Sequence, residues 1–374
     1  MSEYFGKEVF KLGFGLMRLP KNSDGSINIE ETSAMVDKFI AAGGTYFDTA
    51  YVYDNGESEI ATRKALVDRY PRDKYTLCTK LCAWLQCHDE ESAKQQFYTS
   101  LERTGAGYFD YYLLHALQAG NYKKYDEYHI WDFVKELKQK GLVKHFGFSF
   151  HASPELLDQL LTAHPEVDFV QLQINYADWD NPDVASRECY EIARKHGKSI
   201  VVMEPVKGGA LANPPKDVQQ ILKTANPDLS YAGWAIKFAA SLDGIITVLS
   251  GMSNMAQMED NLSYMKKFKP LSAQEQTAIL RAQDALKNVK TIACTACHYC
   301  TGGCPMQIPI PEIFAARNRH TRELKASNAR NDYQKVTNGV GKASQCISCL
   351  QCENACPQQL KITELLSECA KDLE

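Results

Sequence analysis

Two sets of residues in this chain have types and spacings suited to electron and proton transfer. The first is eight cysteines: Cys294, Cys297, Cys300 and Cys304, followed by Pro305, then Cys346, Cys349, Cys352 and Cys356, followed by Pro357. Each run reads C-x2-C-x2-C-x3-C-P. Three thiolates on one tight loop wrap a face of an Fe–S cube, and the fourth, turned away by its proline, reaches the partner cube. The spacing predicts two [4Fe–4S] clusters with crossed ligation, one on Cys294, Cys297, Cys300 and Cys356, the other on Cys346, Cys349, Cys352 and Cys304. A pair of zinc sites is the competing reading, but zinc closes on four ligands and requires neither the third spacing nor the prolines. The second set is Asp48, Tyr53, Lys80 and His115, an acid, a phenol, an amine and an imidazole. Taken singly, each has a structural explanation, such as a satisfied core histidine or an ordinary ion pair. Together, an ammonium beside a phenol and a carboxylate to hold that ammonium make a tuned proton donor.

The elements that must position these groups are legible from periodicity. Short apolar or β-branched runs recur at FKLGFGLMRL, TYFDTA, YTLCTKL, FDYYLLHAL, VKHFGFSF, DFVQLQINY, SIVVMEP and GIITVLSGM. Between them, segments such as ETSAMVDKFIAAG, EESAKQQFYTSLERTG and YHIWDFVKELKQKG place apolar residues three and four apart, as helices do. Ser153 before Pro154 and Glu155 is a helix start, and Gly43, Gly105, Gly141 and Gly197 are helix stops. Eight β/α units in about 260 residues predict an α/β chain with a closed (β/α)8 TIM barrel. No GxGxxG follows the first strand, which weakens an open dinucleotide-binding sheet. Chemistry in such a barrel sits at the C-terminal ends of the strands, which is where Asp48, Lys80 and His115 fall, with Tyr53 in a loop nearby. Downstream, CPMQIPIPEIF at 304–314 repeats as CPQQLKITELL at 356–366, an offset of 52, so two copies of one half-domain are expected to pack about a pseudo-twofold axis. The expected division is a barrel over residues 1–270 and, over 271–374, a helical linker with a small C-terminal α+β ferredoxin-like iron–sulfur domain.

Over residues 291–374 the sequence resembles the bacterial two-cluster ferredoxin family. Over residues 8–265 it resembles the aldo-keto reductase family, whose Asp, Tyr, Lys and His tetrad is matched by FDTAYVYDNGESE, TLCTKL and DYYLLH. The resemblance implies that a hydride added to a carbonyl carbon is matched by a proton from Tyr53, with Lys80 lowering the phenol's pKa below about 10 and His115 orienting the carbonyl. It further implies that Ser149 and Gln171 hold a nicotinamide amide, with Met203 where the family has an aromatic platform. Lys207 and Gly208, with Gly209, offer a cation and exposed backbone to a pyrophosphate, while Gly251, Asp260 and Asn261 belong to the adenosine-binding segment. That segment, SGMSNMAQMEDNL, contains neither Arg nor Lys to grip a 2′-phosphate, so NAD(P)(H) is expected with NADH slightly favoured. The departures at Met203 and in this segment leave room for a flavin, which would split a two-electron hydride into one-electron steps.

Composition narrows the partners. With 42 basic against 46 acidic side chains, the net charge of −4 gives no global attraction for nucleic acid or anionic lipid. No run approaches the ~18 apolar residues of a membrane helix, and MSEYFGKEVF has no signal-peptide core, so a cytoplasmic protein with reduced thiols is expected. The remaining Cys78, Cys82, Cys87, Cys189 and Cys369 lack ligand spacing and read as small buried hydrophobes. The segment RNRHTRELKASNARNDYQK reads either as a basic patch docking an acidic carrier or as a solvated helix face. Trp84, Tyr51, Phe150 and Trp179 are expected to line an apolar substrate pocket. The leading expectation is an oxygen-sensitive oxidoreductase that interconverts a carbonyl and an alcohol, with two clusters passing electrons to or from a ferredoxin or flavodoxin-like carrier. An NAD(P)H-dependent carbonyl reductase with structural clusters, and a flavin-linked electron-transfer or docking module, are the alternatives.

Overall fold

A computed structural model of the chain describes residues 2–5, 7–287, 289, 291–323 and 326–374. A short antiparallel hairpin, β1 (Ser2–Tyr4) and β2 (Lys7–Val9), opens the fold. The eight strands that follow are β3 (Leu12–Gly15), β4 (Tyr46–Asp48), β5 (Thr76–Leu81), β6 (Phe109–Leu117), β7 (Val143–Phe150), β8 (Phe169–Gln173), β9 (Ser199–Met203) and β10 (Ile245–Ser250). They pair in parallel around a closed barrel, with β10 returning to β3. The predicted (β/α)8 barrel is therefore the observed one, each expected run supplying its strand. The opening hairpin was not anticipated, because three-residue strands leave too short a pattern to read. Tyr4 and Phe5 at its turn pack against Val9, Tyr46, Tyr111, Phe169 and Val201, closing the N-terminal end of the barrel with apolar rings.

Helix ends follow local chemistry. Ser153 Oγ accepts from the Leu156 amide ahead of the helix Pro154–Ala163, and Asp89 with Ser92 forms a capping box for Glu90–Thr104, which stops at Gly105 with φ 64°. Buried Phe14, Phe39, Phe47, Phe97 and Phe146 fill the layer between strands and helices. Strand approach is tightest at Gly147, where a Cβ would lie 2.0 Å from the Phe169 carbonyl oxygen. The helix Ala273–Leu286, assigned in advance to the appended segment, packs through Ala278, Ile279 and Ala282 into a cluster with Trp234 and Tyr176 on the barrel's flank.

The cysteine-rich region is built from the helices Ile310–Glu323, Ala326–Val336, Gln351–Ala355 and Ile362–Leu373. Helices Ile310–Glu323 and Ile362–Leu373 follow the two Cys-Pro pairs and meet through Ile313, Phe314, Leu366 and Cys369, as the sequence repeat predicts. The expected β component does not form a strand among the described residues of this region. The chain at Ile292 instead pairs with one side chain: its amide donates to Asn318 Oδ1 at 2.7 Å and its carbonyl accepts from Asn318 Nδ2 at 2.8 Å.

Candidate active site

A cavity of about 760 Å³ opens at the C-terminal rim of the barrel, and Asp48, Tyr53, Lys80 and His115 all line it. Each is aimed by its own local structure. Asp48 ends β4 and Lys80 lies near the end of β5. Tyr53 starts a tight loop in which Asp54, Asn55 and Gly56 all take positive φ, with Lys21 ion-paired to Asp54. His115 sits where β6 loses register between Leu114 and Leu117, with Ala116 at φ 52°, a bulge that turns the imidazole toward the cavity. Its carbonyl is fixed by Tyr125 Oη at 2.5 Å and Trp84 Nε1 at 3.1 Å.

Lys80 is fully buried and donates to Asp48 Oδ1 at 2.5 Å and to the Thr49 carbonyl at 2.6 Å. Its ammonium lies 4.6 Å from the Tyr53 ring centroid. The expected depression of the Tyr53 pKa is not what this environment produces: burial, reinforced by the Asp48 charge, holds the phenol well above its ordinary value. The physical reason is that the phenolate would be desolvated in a low-dielectric pocket with the Asp48 and Glu204 carboxylates nearby. His115 is driven the other way, well below its usual range, by burial and by Lys80. The site thus presents a neutral phenol and a neutral imidazole, a proton donor and a hydrogen-bonding group.

The other expected positions extend along the same cavity. Ser149, Gln171, Met203, Gly208, Gly251, Asp260 and Asn261 all line it. Ser149 and Gln171 are register partners on β7 and β8, and Gln171 Oε1 is buried with no partner. An orphaned acceptor there suits an amide N–H of a nicotinamide. Asn261 is locked by Ser250 Oγ at 2.8 Å and Tyr264 Oη at 2.5 Å, and Asp260 accepts from Ser230 Oγ at 2.7 Å. Lys207 departs from expectation. It is ion-paired with the buried Asp178 and is not among the cavity's lining residues, since Asp178, gripped by Gln173 and Asn175, draws the ammonium away. The Gly208 amide, expected to face a pyrophosphate, donates to Glu204 Oε2 at 2.6 Å.

Trp84, Tyr51, Phe150 and Trp179 do not line this cavity either. Tyr51 stacks under Arg103 and Trp179 packs on Tyr190 and Phe238, while Phe150 is core. Their place is taken by residues that sequence reasoning missed. Thr295, Cys297, Tyr299, Pro357 and Gln358, all from the cysteine-rich region, form part of the cavity wall, with Arg18 and Glu204 from the barrel. Arg18 donates to the Thr295 carbonyl at 2.6 Å, and the side-chain amides of Gln173 and Gln358 bond reciprocally at 3.1 and 2.8 Å in a buried setting. Local sequence carries no signal for contacts between segments so far apart. The Tyr in CHYC between two ligand cysteines was the one visible hint.

The eight spaced cysteines surround two small chambers. Cys294, Cys297, Cys300 and Cys356 line one, and Cys304, Cys346, Cys349 and Cys352 line the other. These are the two crossed sets expected from the spacing. The thiols ring a space in each case, and among the described residues no three His, Cys, Asp or Glu side chains gather about a single metal ion. That donor set of four thiols around a chamber fits a cube of iron and sulfide. Cys78, Cys82, Cys189 and Cys369 are buried apart from both chambers. In the basic segment, Arg317 pairs with Glu368 and Asp372, and Arg319 with Asp332, as on a helix face matched internally.

The Aldo/keto reductase family model matches residues 11–284, and that of the 4Fe-4S dicluster domain matches residues 293–360. An uncharacterized oxidoreductase of Bacillus subtilis, YqkF, is 22% identical over 284 residues, covering 68% of this chain and 87% of that protein. The holo form of aldo-keto reductase AKR11C1 from Bacillus halodurans superposes with a TM-score of 0.61 at 24% identity, over 74% of this chain and 93% of that one. An aldo/keto reductase from Klebsiella pneumoniae in complex with NADP and acetate gives 0.59 at 19% identity, over 73% and 91%. These two structures share the barrel fold.

Proposed function

The chain belongs to the aldo/keto reductase family and carries a 4Fe-4S dicluster domain, and we propose that its cavity interconverts a carbonyl and an alcohol while two [4Fe–4S] clusters link that cavity to an external one-electron carrier. The observation that carries this reading is the convergence of Asp48, Tyr53, Lys80 and His115 on one cavity. A nicotinamide bound there would supply or accept a hydride at carbon, and a cluster one electron at a time. Ser149 and Gln171 are the residues to hold the nicotinamide amide, Met203 lies along the same wall, and Asp260 and Asn261 mark the adenosine end. NADH is favoured over NADPH, because the 250–261 segment lacks Arg and Lys and presents the Asp260 carboxylate. Lys223, a cation on the cavity wall, is already engaged with the Pro227 and Leu229 carbonyls.

Within the chain, Tyr53 gives its phenolic proton to the oxygen as the C–H bond forms and recovers a proton from solvent. Lys80, clamped by Asp48, sits over the Tyr53 ring face and steadies the transient phenolate. His115, neutral and rigid, hydrogen-bonds the substrate oxygen. Thr295, Cys297 and Gln358 border both the cavity and the chamber of Cys294, Cys300 and Cys356, so a cluster held by those cysteines would face the cavity across this wall and could supply or accept single electrons there. Since each cluster moves one electron, the partner is a ferredoxin or flavodoxin-like protein, with a flavin as a second candidate for pairing electrons into hydride. A structural role for the clusters is favoured by one observation, the contact of the cluster-bearing loop with His115.

The test is Tyr53→Phe in anaerobically purified holoprotein, assayed on a panel of aldehydes with NADH and NADPH in turn. Removing the proton donor should lower kcat at least about 100-fold while nicotinamide binding stays within about twofold. Unchanged turnover would remove the catalytic reading.

A further inference from the structure

Tyr299 lies between two predicted cluster ligands, Cys297 and Cys300, yet its ring reaches into the barrel. Its hydroxyl is 3.2 Å from His115 Nε2, and the two rings stand 6.0 Å apart at 84°. On its other side, Trp84 meets it edge-on at 6.0 Å, and Trp84 is itself tied to the His115 carbonyl. Tyr53 flanks the same imidazole at 5.7 Å and 79°. Tyr53, His115 and Tyr299 make a box at the carbonyl end of the cavity, with Trp84 packed edge-on against Tyr299, and one wall of the box comes from the iron–sulfur domain. That wall is fixed independently, through Arg18 on the Thr295 carbonyl and through Gly208, where a Cβ would meet Thr295 backbone at 2.6 Å. His115 Nδ1 is buried without a partner, so Nε2 is the nitrogen through which this imidazole is oriented.

We infer that Tyr299, carried on the cluster-binding loop, is the positioning and size-selecting residue of the barrel site: it holds His115 through Nε2 and limits the carbonyl end to small aldehydes. This rests on the carbonyl-reduction reading above. In the ligand-free cavity the His115 Nε2–H donates to the Tyr299 oxygen; a carbonyl oxygen entering between Tyr53 and His115 shares that N–H, and the Tyr299 O–H is free to turn toward it. A branched or ring-bearing substituent on the carbonyl carbon would collide with the Tyr299 ring, which Trp84 backs. The iron–sulfur domain therefore shapes which substrate is reduced, whatever its part in electron flow.

Two variants of the anaerobic holoprotein separate the two roles. Tyr299→Phe keeps the ring and removes the hydroxyl, so kcat for a small aldehyde should fall about tenfold. The affinity for its product alcohol, read by tryptophan fluorescence, should weaken by a similar factor, while nicotinamide affinity and the cluster EPR signals stay unchanged. Tyr299→Ala opens the box, so the kcat/KM ratio of a benzaldehyde-sized to an acetaldehyde-sized substrate should rise about tenfold or more. The inference is overturned if Phe leaves kcat and alcohol affinity within about twofold and Ala leaves that ratio within about twofold. Tyr53→Phe run in parallel tells the failures apart. If it is inactive while both Tyr299 variants behave as the parent, only the role of Tyr299 fails; if it is fully active, the carbonyl reading itself fails.

Discussion

Tyr53 is a phenol enclosed with a matched ion pair, and its raised pKa has a direct kinetic consequence. In the proposed reduction the protonated form is the donor, and burial keeps it protonated through neutral and mildly alkaline pH. Reductive kcat/KM should therefore hold level from about pH 7 to about pH 9, whereas a phenol tuned down toward neutrality would show a falling limb in that window. A pH–rate profile of the anaerobic holoprotein with a small aldehyde checks this, and a decline with a midpoint near pH 8 would contradict it. Asp48, Tyr53, Lys80 and His115 were legible in the sequence because each occupies a strand end or the loop after it. The sign of the Tyr53 shift was not, since it depends on how deeply the phenol is buried and on how the Asp48 charge faces it, which local sequence does not carry. Lys207 failed for a related reason: a lysine beside two glycines reads as an anion site until a buried carboxylate five residues past β8 claims it.

At the scale of elements, alternating strand and helix patterns carried the barrel, because strands covered on both faces read as apolar runs and each helix keeps a polar side. The hairpin Ser2–Val9 and the absence, among the described residues, of a strand near Ile292 were not legible, since three-residue pairings and a single Asn318 clamp leave no periodic trace. The crossed cysteine sets were fully legible, because fixed spacing around a proline determines which thiols face which chamber. The loop that joins these elements to the barrel rim rests on Gly208, with φ 62° and Thr295 backbone against its Cα. Gly208→Ala adds a clash and left-handed strain together, a cost of about 1–3 kcal/mol. Hydrogen exchange should then quicken across residues 293–300 while β5 and β6 keep their protection. Unaltered exchange in that loop would show that the rim and the cysteine loop do not depend on each other.

At the scale of the whole molecule, the two redox constellations are joined at one wall. The Arg18–Thr295 bond and the Tyr299–His115 contact cross from barrel to cysteine-rich domain within one cavity's lining, and Gln173 pairs with Gln358 of that lining. The chamber of Cys294, Cys297, Cys300 and Cys356 borders that cavity, while Cys349 in the other chamber is exposed beside the exposed Ile347 and Leu350. Ile310 lines both chambers, an arrangement that suits the proposed link to an external carrier. Among the described residues no helix is long and apolar enough to cross a membrane. The most direct measurement is anaerobic titration of the holoprotein in both directions, oxidised protein with NADH and reduced protein with NAD⁺, following cluster absorption near about 400 nm. Electron exchange between cavity and clusters predicts bleaching in the first titration or recovery of colour in the second. No change in either, while NADH reduces a test aldehyde through Tyr53, would contradict a shared redox path and leave the clusters as scaffold.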